Sequence, residues 1–129
     1  MKKYLINLFN KPNTKTDFAL TDDDTRFILK ISDQTIGYLY IENNKWVFKY
    51  SEEFKNQKQY YRLVGFSDLN KTYTNETLWP FFKVRIPGLK QPMIQEIIRN
   101  ENIKTDDELS LLKRFGKKNA SNPYILEIQ

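Results

Sequence analysis

Residues 26–50 read RFILKISDQTIGYLYIENNKWVFKY, and the fold follows from how this stretch divides. Three segments, RFILKI, TIGYLYIE and KWVFKY, are rich in β-branched and aromatic residues and are separated only by SDQ and by NN. Breaks this short join neighbouring antiparallel strands, and Asn43 and Asn44 suit a two-residue hairpin turn, so the stretch predicts an antiparallel meander. Side chains alternate across a strand, so Trp46, Phe48 and Tyr50 share one face while Lys45, Val47 and Lys49 share the other. The aromatic face is the one expected to meet the core.

Downstream, SEEFKNQKQY at 51–60 is polar and reads as a loop or a helical turn, YYRLVGF at 60–66 as a further strand, and SDLNKTYTNE at 67–76 as a long polar connection. Helix signals begin after it. Thr77 is placed to cap a short helix running through Phe82 or Lys83, with Pro80 in its first turn and with Pro87 and Gly88 stopping it. Pro92 opens a second helix, on which Met93, Ile94, Ile97 and Ile98 form an apolar stripe that is expected to pack. Thr105 and Glu108 have the spacing of a capping box for a third helix. Leu109, Leu111, Leu112 and Phe115 supply its apolar surface, Lys113 and Arg114 suit its last turn, and Gly116 is expected to end it in the left-handed conformation. YILEI at 124–128 is short and β-prone and returns to the sheet. Upstream, MKKYLINLF at 1–9 reads as a first strand and NKPNTKTD at 10–17 as a loop. The predicted fold is α+β, with an antiparallel meander in the first half packed against two or three helices in the second. One domain over residues 1–129 is expected, and no internal repeat is visible.

The chain has 129 residues, of which 40% are apolar, enough for one core without disulfides or metal. It contains neither cysteine nor histidine, which removes thiol nucleophiles, histidine bases and the usual zinc ligands. The acidic clusters have local explanations. Asp22, Asp23 and Asp24 lack the Gly and distal Glu of a calcium loop and read as a hydrated turn, and Asp106, Asp107 and Glu108 are carboxylates favoured in the first turn of a helix. GKKNAS at 116–121 lacks the Gly-rich lead of a phosphate-binding loop. No catalytic, cofactor-binding or metal residue is therefore assigned. No apolar run approaches the ~20 residues that cross a bilayer, and residues 1–10 lack the apolar centre of a signal peptide, so a cytoplasmic protein without a membrane partner is expected.

The net charge is +5, and Lys83, Arg85 and Lys90 follow one another with no intervening carboxylate. Such a stretch fits an acidic partner, a nucleic acid or simply a solvated surface. Aromatic residues make up 15% of the chain. Trp46 fits the core pattern, whereas Trp79, beside Pro80, Phe81, Phe82 and the basic stretch, suits either the interior or a partner.

IGYLYIENNKWVFKY from Ile36, GFSDL from Gly65, LWPFFKVRIPG from Leu78 and DDELSLLKRFG from Asp106 resemble successive blocks of the amino-terminal subdomain of the HipA family of serine/threonine kinases, in the family's order. The resemblance runs over about residues 36–128. It places Gly37 and Leu39 at a Gly-x-Leu strand opening, Phe81 and Phe82 in a phenylalanine-rich turn, and Ile86, Pro87 and Gly88 at a Leu-Pro-Glu-Gly segment. Asp107, Leu109, Leu111, Leu112 and Gly116 fall at an Asp-x-Phe-x-Leu-Leu stretch ending in Gly. Two departures stand out: the acidic residue between Pro and Gly is absent, and Leu109 stands where Phe is common. The chain ends where the kinase core of such proteins begins, so a chain without ATP-binding or catalytic residues is expected.

The resemblance implies a stand-alone subdomain similar to the small antitoxin or accessory subunit of split HipA-type toxin-antitoxin systems. Such a subunit binds and restrains a separate HipA-like kinase toxin, beside a helix-turn-helix DNA-binding repressor. The partner surface is expected at the 79–90 turn, with Trp79, Phe82, Pro87 and Leu89 as apolar contacts and Arg85 and Lys90 as charge complements. Two other readings stand beside it: a small basic nucleic-acid-associated module, and an orphan protein-interaction scaffold. A small enzyme would need carboxylate, Lys, Ser or Tyr chemistry around a concave pocket.

Overall fold

The structure, a computed structural model, describes residues 25–119 and 122–129. The strand read at 1–9, the loop at 10–17 and the Asp22 to Asp24 turn lie outside the described residues. The three predicted strands are present as β1 (Arg26–Ile31), β2 (Gln34–Glu42) and β3 (Lys45–Tyr50), and the α+β class holds. Asn43 and Asn44 take the left-handed backbone angles (φ 54° and 63°) that a tight β2–β3 hairpin requires. Two later strands complete the sheet: β4 (Tyr73–Asn75) pairs with β3, and β5 (Ile125–Ile128) pairs with β1, giving the order β4-β3-β2-β1-β5 with every pair antiparallel.

One face of this sheet is apolar because the register stacks like positions. Phe27, Leu39, Phe48 and Tyr73 lie in one cross-strand row, and Leu126, Leu29, Gly37 and Tyr50 in the next. Gly37 is required by close approach, since a Cβ there would meet the Lys49 carbonyl at 2.5 Å and the Phe48 ring at 2.8 Å. The register slips beside it, between Leu29 and Lys30, leaving Ile36 without a partner in β1; its side chain joins the core and its carbonyl accepts from the Ser51 amide at 2.8 Å. Trp46, Phe48 and Tyr50 are all buried, as the alternation predicts. Val47 on the opposite face is buried too, between Tyr40 and Thr74 in the ladder, and the Arg26 guanidinium lies 4.1 Å over the Tyr40 ring.

The helices are α1 (Glu52–Lys55), α2 (Pro80–Lys83), α3 (Pro92–Glu101) and α4 (Glu108–Phe115). Phe54 of α1, Phe82 of α2, and Leu109 and Leu112 of α4 close over the aromatic face in one cluster. Burial of a side chain of this size contributes roughly 1.5–3 kcal/mol.

Several local expectations are corrected. Residues 60–66 form no strand: Leu63 and Phe66 are buried at a spacing of three, the Phe66 amide donates to the Leu63 carbonyl at 3.0 Å, and Gly65 turns the chain at φ 90°. The polar connection that follows supplies β4. Trp79, not Thr77, is the N-cap of α2, and it offers no side-chain bond; the Thr77 hydroxyl instead accepts from the Asn75 amide at 3.2 Å. Asp107, not Thr105, caps α4: its carboxylate accepts from the Leu109 amide at 3.1 Å and from the Ser110 hydroxyl at 2.7 Å. Gly116 ends α4 at φ −83°, in the right-handed region. A Cβ there would meet the Leu112 carbonyl at 2.5 Å, so close packing rather than a left-handed turn selects glycine. The stripe on α3 is not packed away, for no residue of that helix is buried and Met93 is 73% exposed.

Candidate docking surface

The chain from Leu78 to Lys90 turns at the edge of the core, and its side chains divide sharply between inside and outside. Pro80 at the first turn of α2 sends Phe82 inward, where its ring lies 5.7 Å from Phe48 and 6.1 Å from Phe66. Trp79 is half-buried, edge-on to Phe66 at 5.2 Å, and Phe81 meets Tyr124 at 5.4 Å. The aromatic turn is therefore largely internal packing.

Arg85 is the residue that departs most from expectation. Its side chain is 3% exposed, and its guanidinium donates to the carbonyls of Gly116 (2.9 Å), Lys117 (3.1 Å) and Tyr124 (2.7 Å) and to the Asn122 side-chain oxygen (3.3 Å). Those acceptors all lie between the end of α4 and the start of β5, so Arg85 pins that connection to the turn after α2. Burial pushes its pKa down, yet a guanidinium stays charged in proteins. Its Nε has no partner among the described residues. Arg85 and Phe82, both expected on the partner surface, are buried in this chain, where their side chains serve the interior.

Glu108 forms a second hub. One carboxylate oxygen accepts from the Trp46 indole N–H (3.3 Å) and from the Leu78 amide (3.2 Å), while the other pairs with the Lys83 ammonium at 3.2 Å. It binds β3, the entry to α2 and α4 together, which is why it does not close a capping box with Thr105. Of the proposed surface residues, Trp79, Pro87 and Leu89 remain half-buried and Lys90 exposed. Lys90 is the one cation of the Lys83, Arg85 and Lys90 stretch that is exposed without a carboxylate partner among the described residues. Val84, at 59% exposure, adds an exposed apolar side chain that strand or helix periodicity does not single out.

A cleft of about 330 Å³ lies between the β2–β3 hairpin and the start of α4. Lys45, Lys104, Glu76 and Asp106 among its lining residues mix both signs of charge, so it selects neither an anion nor a cation. Among the described residues, no group of three or more acidic side chains is placed to hold a metal ion. No helix among them is long and apolar enough to cross a membrane.

A family model described as the HipA N-terminal domain matches residues 28–120, from β1 through the end of α4. No curated protein matches the chain.

Proposed function

The chain belongs to the HipA N-terminal domain family, and on that premise we propose that it is a non-catalytic regulatory subunit, of the antitoxin kind, that docks on a separate HipA-like serine/threonine kinase and restrains it. The family match carries this reading, since residues 28–120 take in most of β1, the strands β2 to β4 and all four helices rather than one short motif. The geometry supports a docking role through groups left outside the core: Val84, Leu89 and Lys90 after α2, and Met93 on α3. A helix-turn-helix repressor in the same complex fits the reading as a further partner.

A nucleic-acid role draws less support from the basic stretch once its cations are placed. Arg85 is consumed internally and Lys83 is paired with Glu108, so the run expected to meet phosphate presents Lys90 alone. The test is to titrate the purified chain into a purified HipA-family kinase of the same organism and to follow complex formation and autophosphorylation at two salt concentrations. A complex that persists at high salt with slowed autophosphorylation is the expected result. Absence of a complex, with the chain instead binding DNA in a strongly salt-dependent way, would overturn it.

A further inference from the structure

The segment between α1 and β4 carries an arrangement that the family reading does not use. Tyr61 is 93% exposed and Val64 is 88% exposed, while Leu63 between them and Phe66 just after are 3% and 1% exposed. Single exposed apolar residues are ordinary on protein surfaces. Here two of them project from a loop whose backbone is fixed from within. The Tyr50 hydroxyl, buried under the sheet, accepts from the Leu63 amide at 2.9 Å and donates to the Phe66 carbonyl. The Gln57 side chain clamps Tyr60 from both sides, donating to its carbonyl at 2.9 Å and accepting from its amide at 2.8 Å. The Tyr50 ring is itself stacked on Phe54 at 5.2 Å.

The charge of this loop has one sign. No carboxylate occurs between Phe54 and Ser67, where Lys55, Lys58 and Arg62 are the charged residues. Lys55 is paired with Glu52 at 2.8 Å, but neither Lys58 nor Arg62 has a carboxylate partner among the described residues, and both are exposed. Tyr and Arg are the residue types over-represented at binding hot spots, and a loop already held in one conformation loses little entropy when it docks.

We infer that the 57–66 loop is a preformed docking element, in which Tyr61 and Val64 enter an apolar notch and Lys58 and Arg62 meet an acidic rim on the partner protein. The inference rests on the regulatory reading above and names a contact for it distinct from the 79–90 turn. A protein partner suits the loop better than a nucleic acid, because an aliphatic Val64 has no use on a phosphate backbone, whereas an acidic rim around an apolar notch uses all four residues.

The experiment measures binding of the full chain to the purified HipA-family kinase, comparing wild type with Tyr61→Ser/Val64→Ser and with Arg62→Glu. Thermal melting of each chain and titration with a mixed-sequence duplex DNA run alongside. Each variant is expected to bind the kinase at least about tenfold more weakly, with unchanged melting, because the altered side chains are exposed. Wild-type binding matched by both variants would overturn the loop while leaving the regulatory reading standing. Failure of the wild-type chain to bind the kinase would overturn both. Variants that lose DNA binding but keep kinase binding would overturn the loop in favour of a nucleic-acid contact.

Discussion

Arg85→Met tests whether the buried guanidinium is the pin that holds the connection from α4 to β5. Four hydrogen bonds donated by the guanidinium are lost, at 2.7 to 3.3 Å, three of them to backbone carbonyls. Net contributions of hydrogen bonds to a charged group run to about 1.5–3 kcal/mol each, but Arg85 has no carboxylate to offset its desolvation, so the sum is well below the total. The Gly116 carbonyl is buried and is left unsatisfied, at a cost of about 1–3 kcal/mol; the Lys117 and Tyr124 carbonyls are only partly buried and can take water. The expected loss is therefore about 2–4 kcal/mol, with the methionine stem preserving most of the packing. Arg85→Ala should cost about 2 kcal/mol or more beyond this, for the further methylene, sulfur and methyl group removed relative to methionine. Urea denaturation followed by the fluorescence of Trp46 and Trp79 is the assay, with the slope checked for constancy so that the midpoint reports stability. A midpoint shift worth less than about 0.5 kcal/mol for Arg85→Met, the size of an ordinary surface substitution, would refute the pin. Weakened kinase binding with unchanged stability would in addition restore Arg85 to the partner surface.

Two further outcomes follow from the same geometry. Asp107→Ala should destabilise the fold by about 1 kcal/mol as a lost N-cap, while Thr105→Ala should be nearly neutral, and equal denaturation midpoints for the two would contradict the observed start of α4. Burial pushes the Tyr50 phenol up to about 12, against about 10 in an unfolded chain. The proton is therefore held more tightly in the folded state, so the stability this provides is complete below pH 10 and is lost as pH rises from 10 through about 12. The stability difference between wild type and Tyr50→Phe should shrink by up to about 3 kcal/mol over that range; a difference that stays constant from pH 9 to 11.5 would remove the assignment.

The elements most legible in the sequence are those with runs of β-branched and aromatic residues between short breaks. Residues 26–50 show β1 to β3 and the Asn43–Asn44 turn in this way, and alternation along β3 puts Trp46, Phe48 and Tyr50 on the buried face, although Val47 opposite is buried as well and β2 begins one residue earlier, at Gln34. YILEI is legible from its β-prone composition, and it pairs with β1 as β5. The segment 60–66 has the composition of a strand but buries Leu63 and Phe66 three apart, a spacing that an alternating ladder cannot accommodate on one face. That spacing, together with Gly65, was the available signal. The start of α4 differs from the sequence reading because Thr105 and Glu108 have the spacing of a capping box, while Asp107 is an equally good N-cap residue. Only the tertiary position of the Trp46 indole and the Leu78 amide decides that Glu108 turns toward them and Asp107 is left to cap.

The candidate surface was less legible, because both of its surprises invert the rule that apolar residues go inside and charges outside. Arg85 lies between Val84 and Ile86, and the sequence offers no carboxylate to explain a buried cation there. Three of its four partners are backbone carbonyls 31, 32 and 39 positions away, and a carbonyl leaves no mark in a sequence. Tyr61 and Val64 invert the rule the other way, and Tyr50, the residue that holds them out, sits in β3, where it reads simply as core. A polar tip on a core aromatic ring lets one side chain both fill the interior and fix the backbone of a distant loop. Burial of Leu63 and Phe66 in the core offsets the backbone entropy of ordering the loop, so its order alone does not call for a partner. What points outward is the combination of Tyr61 and Val64, both exposed on that ordered backbone, with Lys58 and Arg62, which have no carboxylate partner among the described residues.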